Sequence, residues 1–452
     1  MRSPRRRPVA LAMTVVLLCA VAACGNSKKE AEPTTTTAAK AGAPTTAANP
    51  KEHVAVTAPG VSDTEIRVGG VASVTNPLGG SYGDAFKGVQ AYLDMVNANG
   101  GIYGRQIKLV SQHDDKAFNN LTEVQALLSE DNVFAVLPVA TLQFTGADLL
   151  VQKGIPTFGW TINPEWGGTK DQPKANLFGQ TGSYLCFTCA SPGFPWLVGQ
   201  AHAHKVGLLA YAISESTQCA DGTKASIDKY GPRIGAKVVY TDQTLQFAQK
   251  DLSVQVSKMK QKGVDFVATC MDTNGVVTLA KEMKKQRLNA VQSLPNAYDH
   301  DFLDEFGDLF ENSFVRTDFA SFEVPEDNQP EGEKLYLQQM DKEGFTPSEN
   351  SVAGWLNADL FVAGLKKAGP NFSQQKVVDA INSMTKYNAD GFIYPVNWKR
   401  AHYLENDEQH NCQFFSVIKD SKFVPKYTRP GKPFVCVVVK PDSLGTRYTA
   451  DN

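Results

Sequence analysis

From about residue 65 onward, short apolar runs alternate with segments whose apolar residues recur every three or four positions, the pattern of strands followed by amphipathic helices. Residues 66–72 read as a buried strand, and Asn76, Pro77, Leu78, Gly79 and Gly80 as a turn-rich loop. Phe86, Val89, Leu93 and Val96 then mark one face of a helix. Asn99, Gly100 and Gly101 end it, because glycine takes the left-handed C-cap conformation without a Cβ penalty. Tyr103 and Gly104 turn the chain into a strand over 107–110, which delivers the carboxylates Asp114 and Asp115 to a strand end. A strand over 133–139, a helix over 142–152 and a strand over 155–159 carry the alternation to about Thr181. Units of this length predict a parallel sheet with right-handed crossovers.

A second series follows the loop at 186–195, with strands over 206–210, 238–240, 266–269 and 291–294 and helices over 252–262 and 276–285. The repetition predicts an α/β fold of two Rossmann-like lobes with parallel sheets joined by a hinge. The polar, proline-bearing stretch 323–330 reads as a crossover between lobes. An apolar helix over 355–365 returns to the first lobe, and a hairpin of 414–418 and 423–427 closes on the second. The expected N-terminal lobe is 61–182 plus 323–405, and the C-terminal lobe 183–322 plus 406–440. Such lobes enclose a cleft lined by strand-to-helix loops, where small ligands bind and hinge closure traps them.

The first 60 residues belong to neither lobe. Arg2, Arg5, Arg6 and Arg7 precede a short apolar run at 9–19, the make-up of a signal peptide over 1–23. Val21, Ala22, Ala23 and Cys24 look like a lipobox, at which bacterial lipoproteins are cleaved and lipidated on cysteine; the other reading is an ordinary cleaved signal with an incidental Cys24. Two acyl chains suffice for stable anchoring. The rest of 24–60 is rich in Thr, Ala and Pro and too poor in large apolar residues to form a core. As a flexible tether its roughly 36 residues reach about 30–35 Å.

Composition narrows the classes. A chain of 452 residues, 42% apolar and 20% charged, is globular and prompts two or three domains. Without the signal, which holds four of 45 basic residues and none of 47 acidic ones, the net charge is about −6, no sign of a nucleic-acid partner. No later segment approaches the roughly 20 apolar residues of a membrane span. Six cysteines remain beside Cys19 and Cys24, an even number in an exported chain, and they allow 15 pairings. The expected disulfides are Cys412 with Cys436 about the hairpin, Cys219 with Cys270 near strand ends of one lobe, and Cys186 with Cys189 as a short local loop. A zinc site from the last pair with His202 and His204 would need further ligands that no second CxxC supplies. No HExxH, Gly-x-Ser-x-Gly or GxxxxGK[ST] motif occurs, so neither catalysis, metal nor cofactor is expected. His202 and His204 fall on a predicted helix end, pointing to different faces.

The run from Asn97 to Arg105 (Asn-Ala-Asn-Gly-Gly-Ile-Tyr-Gly-Arg), placed after a strand, loop and helix, resembles the N-terminal lobe of type I periplasmic binding proteins. It is most similar to the Leu/Ile/Val-binding-protein-like receptors of ABC importers, over residues 61–440 and most strongly in 61–160 and 330–385. The resemblance implies a monomeric receptor, exported and lipid-anchored to the outer face of the bacterial cell membrane. Such a receptor captures a small polar ligand (an amino acid, amide or related organic acid) and presents it to an ABC permease. A receptor of the same fold that signals to a membrane partner without transport is the alternative.

In amino-acid receptors of that family, the loops matching 137–141 and 159–163 grip the ligand's carboxylate and ammonium. The resemblance carries that role to Ala140, Thr141, Thr161 and Asn163. The loop at 137–141 is expected to run straight into a helix, whose free N–H groups and positive dipole end suit an anion. Helix capping is the other reading of Thr141 and Asn163. Tyr82 matches an aromatic that covers the ligand, or is a helix-start tyrosine; Trp160 and Trp166 flank the expected pocket. The second lobe departs from the pattern, with Cys219, Ala220, Asp221 and Gly222 where relatives carry Tyr-Gly-x-Gly. The acid that would hold an ammonium falls near Asn296, which hydrogen-bonds but brings no charge. Asp272 either substitutes for it or is a solvated loop aspartate. The departure turns the expectation from branched-chain amino acids toward an amide, a neutral acid or an aromatic compound.

Overall fold

A computed structural model describes residues 53–169, 171–182, 188–400, 402 and 412–448. The expected signal peptide, Cys24, most of the tether and Cys186 lie outside the described residues.

The first sheet holds β1 (Glu65–Ala72), β2 (Gln106–Asp114), β3 (Ala135–Ala140), β4 (Thr157–Gly159) and β5 (Leu177–Gly179). All pairings are parallel, in the order β2-β1-β3-β4-β5. Every residue of β3 is buried, as required of a central strand covered by helices on both faces. Helices α1 (Asp84–Ala98), α2 (Asn120–Ser129) and α3 (Ala147–Lys153) cross between the strands.

The second sheet begins with β6 (Lys205–Tyr211), β7 (Lys237–Leu245), β8 (Phe266–Cys270), β9 (Val291–Leu294) and β10 (Phe314–Thr317), parallel in the order β10-β9-β8-β6-β7. The helices of this lobe are α4 (Gly193–Gln200), α5 (Ser214–Tyr230), α6 (Ser253–Lys262), α7 (Thr273–Gln286) and α8 (His300–Phe306). After β10 the chain crosses to α9 (Glu331–Glu343), α10 (Glu349–Ala368) and α11 (Gln374–Asn382) on the first lobe. It then returns as β11 (Cys412–Lys419), β12 (Lys422–Lys426), β13 (Val435–Val439) and β14 (Leu444–Tyr448). These pair antiparallel and extend the second sheet beyond β10. The sequence shows only the β11–β12 hairpin. A polar stretch with Pro430, Gly431 and Pro433 separates it from the last two strands and hides their pairing.

Helix α10 is apolar almost all round, with Val352, Trp355, Leu356, Phe361, Val362 and Leu365 buried, the signature of an interior helix. A capping box starts it, the Ser348 hydroxyl accepting from the Ser351 N–H and the Ser351 hydroxyl from the Ser348 N–H. It packs on α1 through glycines. A Cβ on Gly88 would lie 1.9 Å from the Ser351 carbonyl oxygen, and one on Gly354 1.9 Å from that of Ala85.

One sequence expectation changes with consequence for the site. The helix expected from residue 142 starts only at Ala147. Side chains from elsewhere take the backbone groups that an earlier start would use. The Leu142 N–H donates to the Ser73 hydroxyl at 3.0 Å, the Leu142 carbonyl accepts from Asn163 Nδ2 at 2.8 Å, and the Gly146 N–H donates to Asn120 Oδ1 at 2.9 Å.

Candidate functional site

A cavity of about 260 Å³ opens between the lobes at the carboxyl ends of their strands, where open α/β sheets bind ligands. The first lobe contributes Trp160, Thr161 and Ile162 after β4, Gln180 and Thr181 after β5, and Glu349, Val352 and Ala353 from the start of α10. From the second lobe come Phe194 of α4, the face of α5 bearing Cys219 and Ser226, the ends of β8 and β9 with Asn296, and Arg316 to Phe319 at the end of β10. A disulfide joins Cys219 to Cys270 with Cα atoms 6.0 Å apart and pins α5 to the end of β8, so part of the wall is cross-linked. A second joins Cys412 and Cys436, which face each other in the β11–β13 register. Cys189 is also disulfide-bonded.

Of the seven ligand contacts expected from the sequence, Thr161 and Asn296 line this cavity. Tyr82, Ala140, Thr141, Asn163 and Asp272 do not line it, and each has a local reason. Thr141 is fully buried and donates to the carboxylate of Asp115, which also accepts from Ser73 at 2.7 Å. With no helix starting there, Ala140 and Thr141 belong to a closed polar knot and not to an anion-receiving helix end. Asn163 donates its amide N–H to the Leu142 carbonyl, and its Oδ1 is buried without a hydrogen bond. Tyr82 packs behind Trp160 at 5.6 Å between ring centroids, and burial, followed by the charge of Asp272, raises its pKa. Asp272 caps α7 through the Gly275 N–H at 2.9 Å, and burial raises its carboxyl pKa. This side of the cleft is filled by protein: a Cβ on Gly79 of the first lobe would meet the Asn274 side chain of α7 at 2.7 Å. The open space therefore sits toward β4 and β5 and away from the β1–β3 switch point.

Thr161 is itself partly engaged. Its N–H and hydroxyl both point to Gln180 Oε1, at 3.1 and 3.4 Å. Of the two tryptophans, Trp160 lines the cavity, whereas Trp166 is fully buried against Phe144 at 4.8 Å. His202 and His204 follow the end of α4, and among the described residues no cluster of three or more His, Cys, Asp or Glu is placed to hold a metal ion.

The sequence reasoning passed over the ionic side chains of the wall: Arg316, Asp318 and Glu349. Asp318 accepts from Gln413 Nε2 at 3.2 Å. Burial, reinforced by the negative charge of Asp318, pushes the Glu349 carboxyl up to about 8, so it is largely protonated at neutral pH. The hydroxyl of Thr269, a cavity residue only 6% exposed, forms no hydrogen bond. A polar Arg-Thr-Asp ending to a short apolar strand just before the crossover is the one signal that marks Arg316 and Asp318 in the sequence. Glu349 reads there as an ordinary helix-start acid.

Comparison with known proteins agrees with this architecture. A family model described as periplasmic binding protein matches residues 65–421. Among curated proteins none matches the chain at a significant level. A periplasmic binding protein type 1 from Bordetella pertussis Tohama I has a similar structure, with 20% identity, a TM-score of 0.64, and 80% of this chain and 99% of that one covered. A fatty acid ABC transporter substrate-binding protein from Thermomonospora curvata gives 18%, 0.64, 84% and 92%. A branched chain amino acid ABC transporter from Thermus thermophilus with bound valine gives 17%, 0.65, 81% and 96%. The family consists of solute-binding proteins that act outside the cytoplasm, and no helix among the described residues is long and apolar enough to cross a membrane. With two parallel α/β lobes, a cleft at their strand ends and a family match over most of its length, the chain belongs to the periplasmic binding protein family and has the type I fold of its Leu/Ile/Val-binding members.

Proposed function

We propose that this protein is an extracytoplasmic lipoprotein, anchored through Cys24, that captures a small polar solute in the inter-lobe cleft and delivers it to an ABC importer. The observation that carries the reading is the cavity of about 260 Å³ between the lobes, walled by Trp160, Phe194 and Phe319 and set with polar groups from both sides. Ligand sites of this kind combine an apolar wall with a few placed polar groups. Valine and fatty acids, named for two of the similar structures, indicate the scale of solute to test. The lobes divide at 182/183, 322/323 and 405/406, and Thr161 and Asn296 touch the ligand from opposite sides. The protein works as a monomer, and a ligand shifts its population toward the form that the permease accepts.

The test is a thermal-shift screen on the full chain recovered from bacterial membranes, with its mass first read for acylation at Cys24. A solute at 100 times its Kd adds about 2.7 kcal/mol and raises the melting temperature visibly. Thr161→Ala should weaken binding of any hit about 3- to 10-fold, the worth of a neutral hydrogen bond. Unchanged affinity removes Thr161 from the site. If no amino acid, amide or organic acid stabilises the refolded protein, solute capture is wrong.

A further inference from the structure

Arg316 is the only cationic side chain among the described residues lining the cavity. It projects from β10 between the buried Val315 and Thr317, is itself exposed, and forms no hydrogen bond or ion pair with any described residue. Neither neighbouring acid is within ion-pair distance of it. Asp318 is engaged by Gln413, and Glu349 is held largely neutral. A guanidinium presents a planar fork of N–H donors that a carboxylate matches with two parallel charge-assisted bonds.

A second polar group near this end of the sheet is also unspent. The Thr269 hydroxyl, one residue before the end of β8, forms no hydrogen bond; the pairing Ala268–Ser293–Phe314 puts its side chain on the sheet face opposite to that of Arg316. Asn296 lies on the loop after β9, the strand between them. Across the cavity from Arg316 and Asn296 stand Trp160, Ile162 and Val352 of the first lobe. The pocket thus has an anion-receiving edge and an apolar wall.

We propose that Arg316 is the ionic anchor of the cleft and that the captured solute carries a carboxylate paired with it, its apolar body lying against the first lobe. The assignment rests on the solute-binding function proposed above. It does not depend on the first-lobe loops, whose donors at Thr141 and Thr161 are turned toward Asp115 and Gln180.

The experiment is isothermal titration of the full chain and its Arg316→Gln and Arg316→Lys variants with benzoate, 4-methylpentanoate, octanoate and leucine, each against its own amide. Melting of the ligand-free variants shows that they are folded, as expected for a change at an exposed side chain. The expected result is that an acid binds and its amide binds far more weakly. Arg316→Gln then weakens the acid about 10- to 100-fold, and Arg316→Lys, which keeps the charge without the fork, weakens it less. An acid that binds Arg316→Gln as tightly as wild type overturns the anchor. So does an amide that binds as well as its acid; in both cases solute capture stands. Silence from all eight compounds, with hits in the thermal-shift screen only among solutes lacking a carboxylate, overturns the carboxylate assignment alone; silence throughout that screen overturns solute capture as well.

Discussion

At the scale of single residues, the described polar groups are mostly spent on building the scaffold. Glu323, on the crossover, accepts from His300 Nε2 at 2.8 Å, from the Tyr298 hydroxyl at 2.7 Å and from Ser321. Burial alone would raise its pKa, but these bonds outweigh burial and hold it below the ordinary 4.5. The bond to Glu323 in turn raises His300 above 6.5, against the opposing effect of burial. The two shifts act in opposite directions with pH. The Glu323 contribution is present above pH 4.5 and is lost as pH falls through its lowered value. The His300 contribution is present below pH 6.5 and is lost as pH rises through its raised value. The pair therefore supports the fold most between these limits. Melting profiles across pH should show the advantage of wild type over His300→Ala largest there and shrinking on the alkaline side. A constant difference from pH 5 to 9 would mean that the pair is not coupled to folding.

At the scale of elements, the contact between α1 and α10 decides where the cleft wall stands. Gly88 and Gly354 let the two helices approach until carbonyl oxygens occupy the space of a side chain, and the start of α10 carries Glu349, Val352 and Ala353 into the cavity. Edge-on packing of Tyr92 against Trp355 at 4.8 Å sets the same interface. Gly354→Ala should push the helices apart and cost about 1–3 kcal/mol, read by urea unfolding, despite alanine's better helix propensity. A gain in stability would show that the helices part freely and that the approach is not close-packed. Most of these elements were legible in the sequence. Strands β1 to β4 and β6 to β9 and helices α1, α6, α7 and α10 declare themselves by apolar run or 3–4 spacing, though α10 extends from Glu349 to Ala368 beyond its apolar stretch; the short strands β5 and β10 do not. The start of α3 was not legible, because three side chains distant in sequence take up the backbone groups at 142–146.

At the scale of the molecule, the lobes share one apolar core. Val89 and Trp355 of the first lobe belong to the same cluster as Phe302 and Ile418 of the second. A chain of rings crosses the hinge: Phe423, Tyr298, Phe322, Tyr336, Trp355 and Tyr92, with neighbouring centroids 4.6, 5.1, 5.6, 5.5 and 4.8 Å apart. Aromatic pairs at these distances add about 0.5–1.5 kcal/mol each beyond their burial. Calorimetry should accordingly show one cooperative unfolding transition in wild type. Phe322→Ala, which removes the link on the crossover itself, should separate the lobes into two transitions. Two transitions already present in wild type would contradict the shared core.

Two properties followed from the sequence alone. The periodicity of apolar residues is a local property, so it set the alternating elements and hence two parallel lobes with a cleft between them. The Asn97–Arg105 run and its surroundings pointed to the type I periplasmic binding family, which the family match shows. The position of the open space within the cleft depended on tertiary structure. Tyr82, Thr141, Asn163 and Asp272 look like ligand contacts by position, yet contacts with Trp160, Asp115, Leu142 and the α7 backbone engage them inside the protein. Arg316 and Glu349, 33 residues apart in the chain, became cavity neighbours only when β10 and α10 were brought together across the hinge. Hydrophobic pattern determines which face of an element is buried. Which polar groups remain unspent depends on partners far away in sequence.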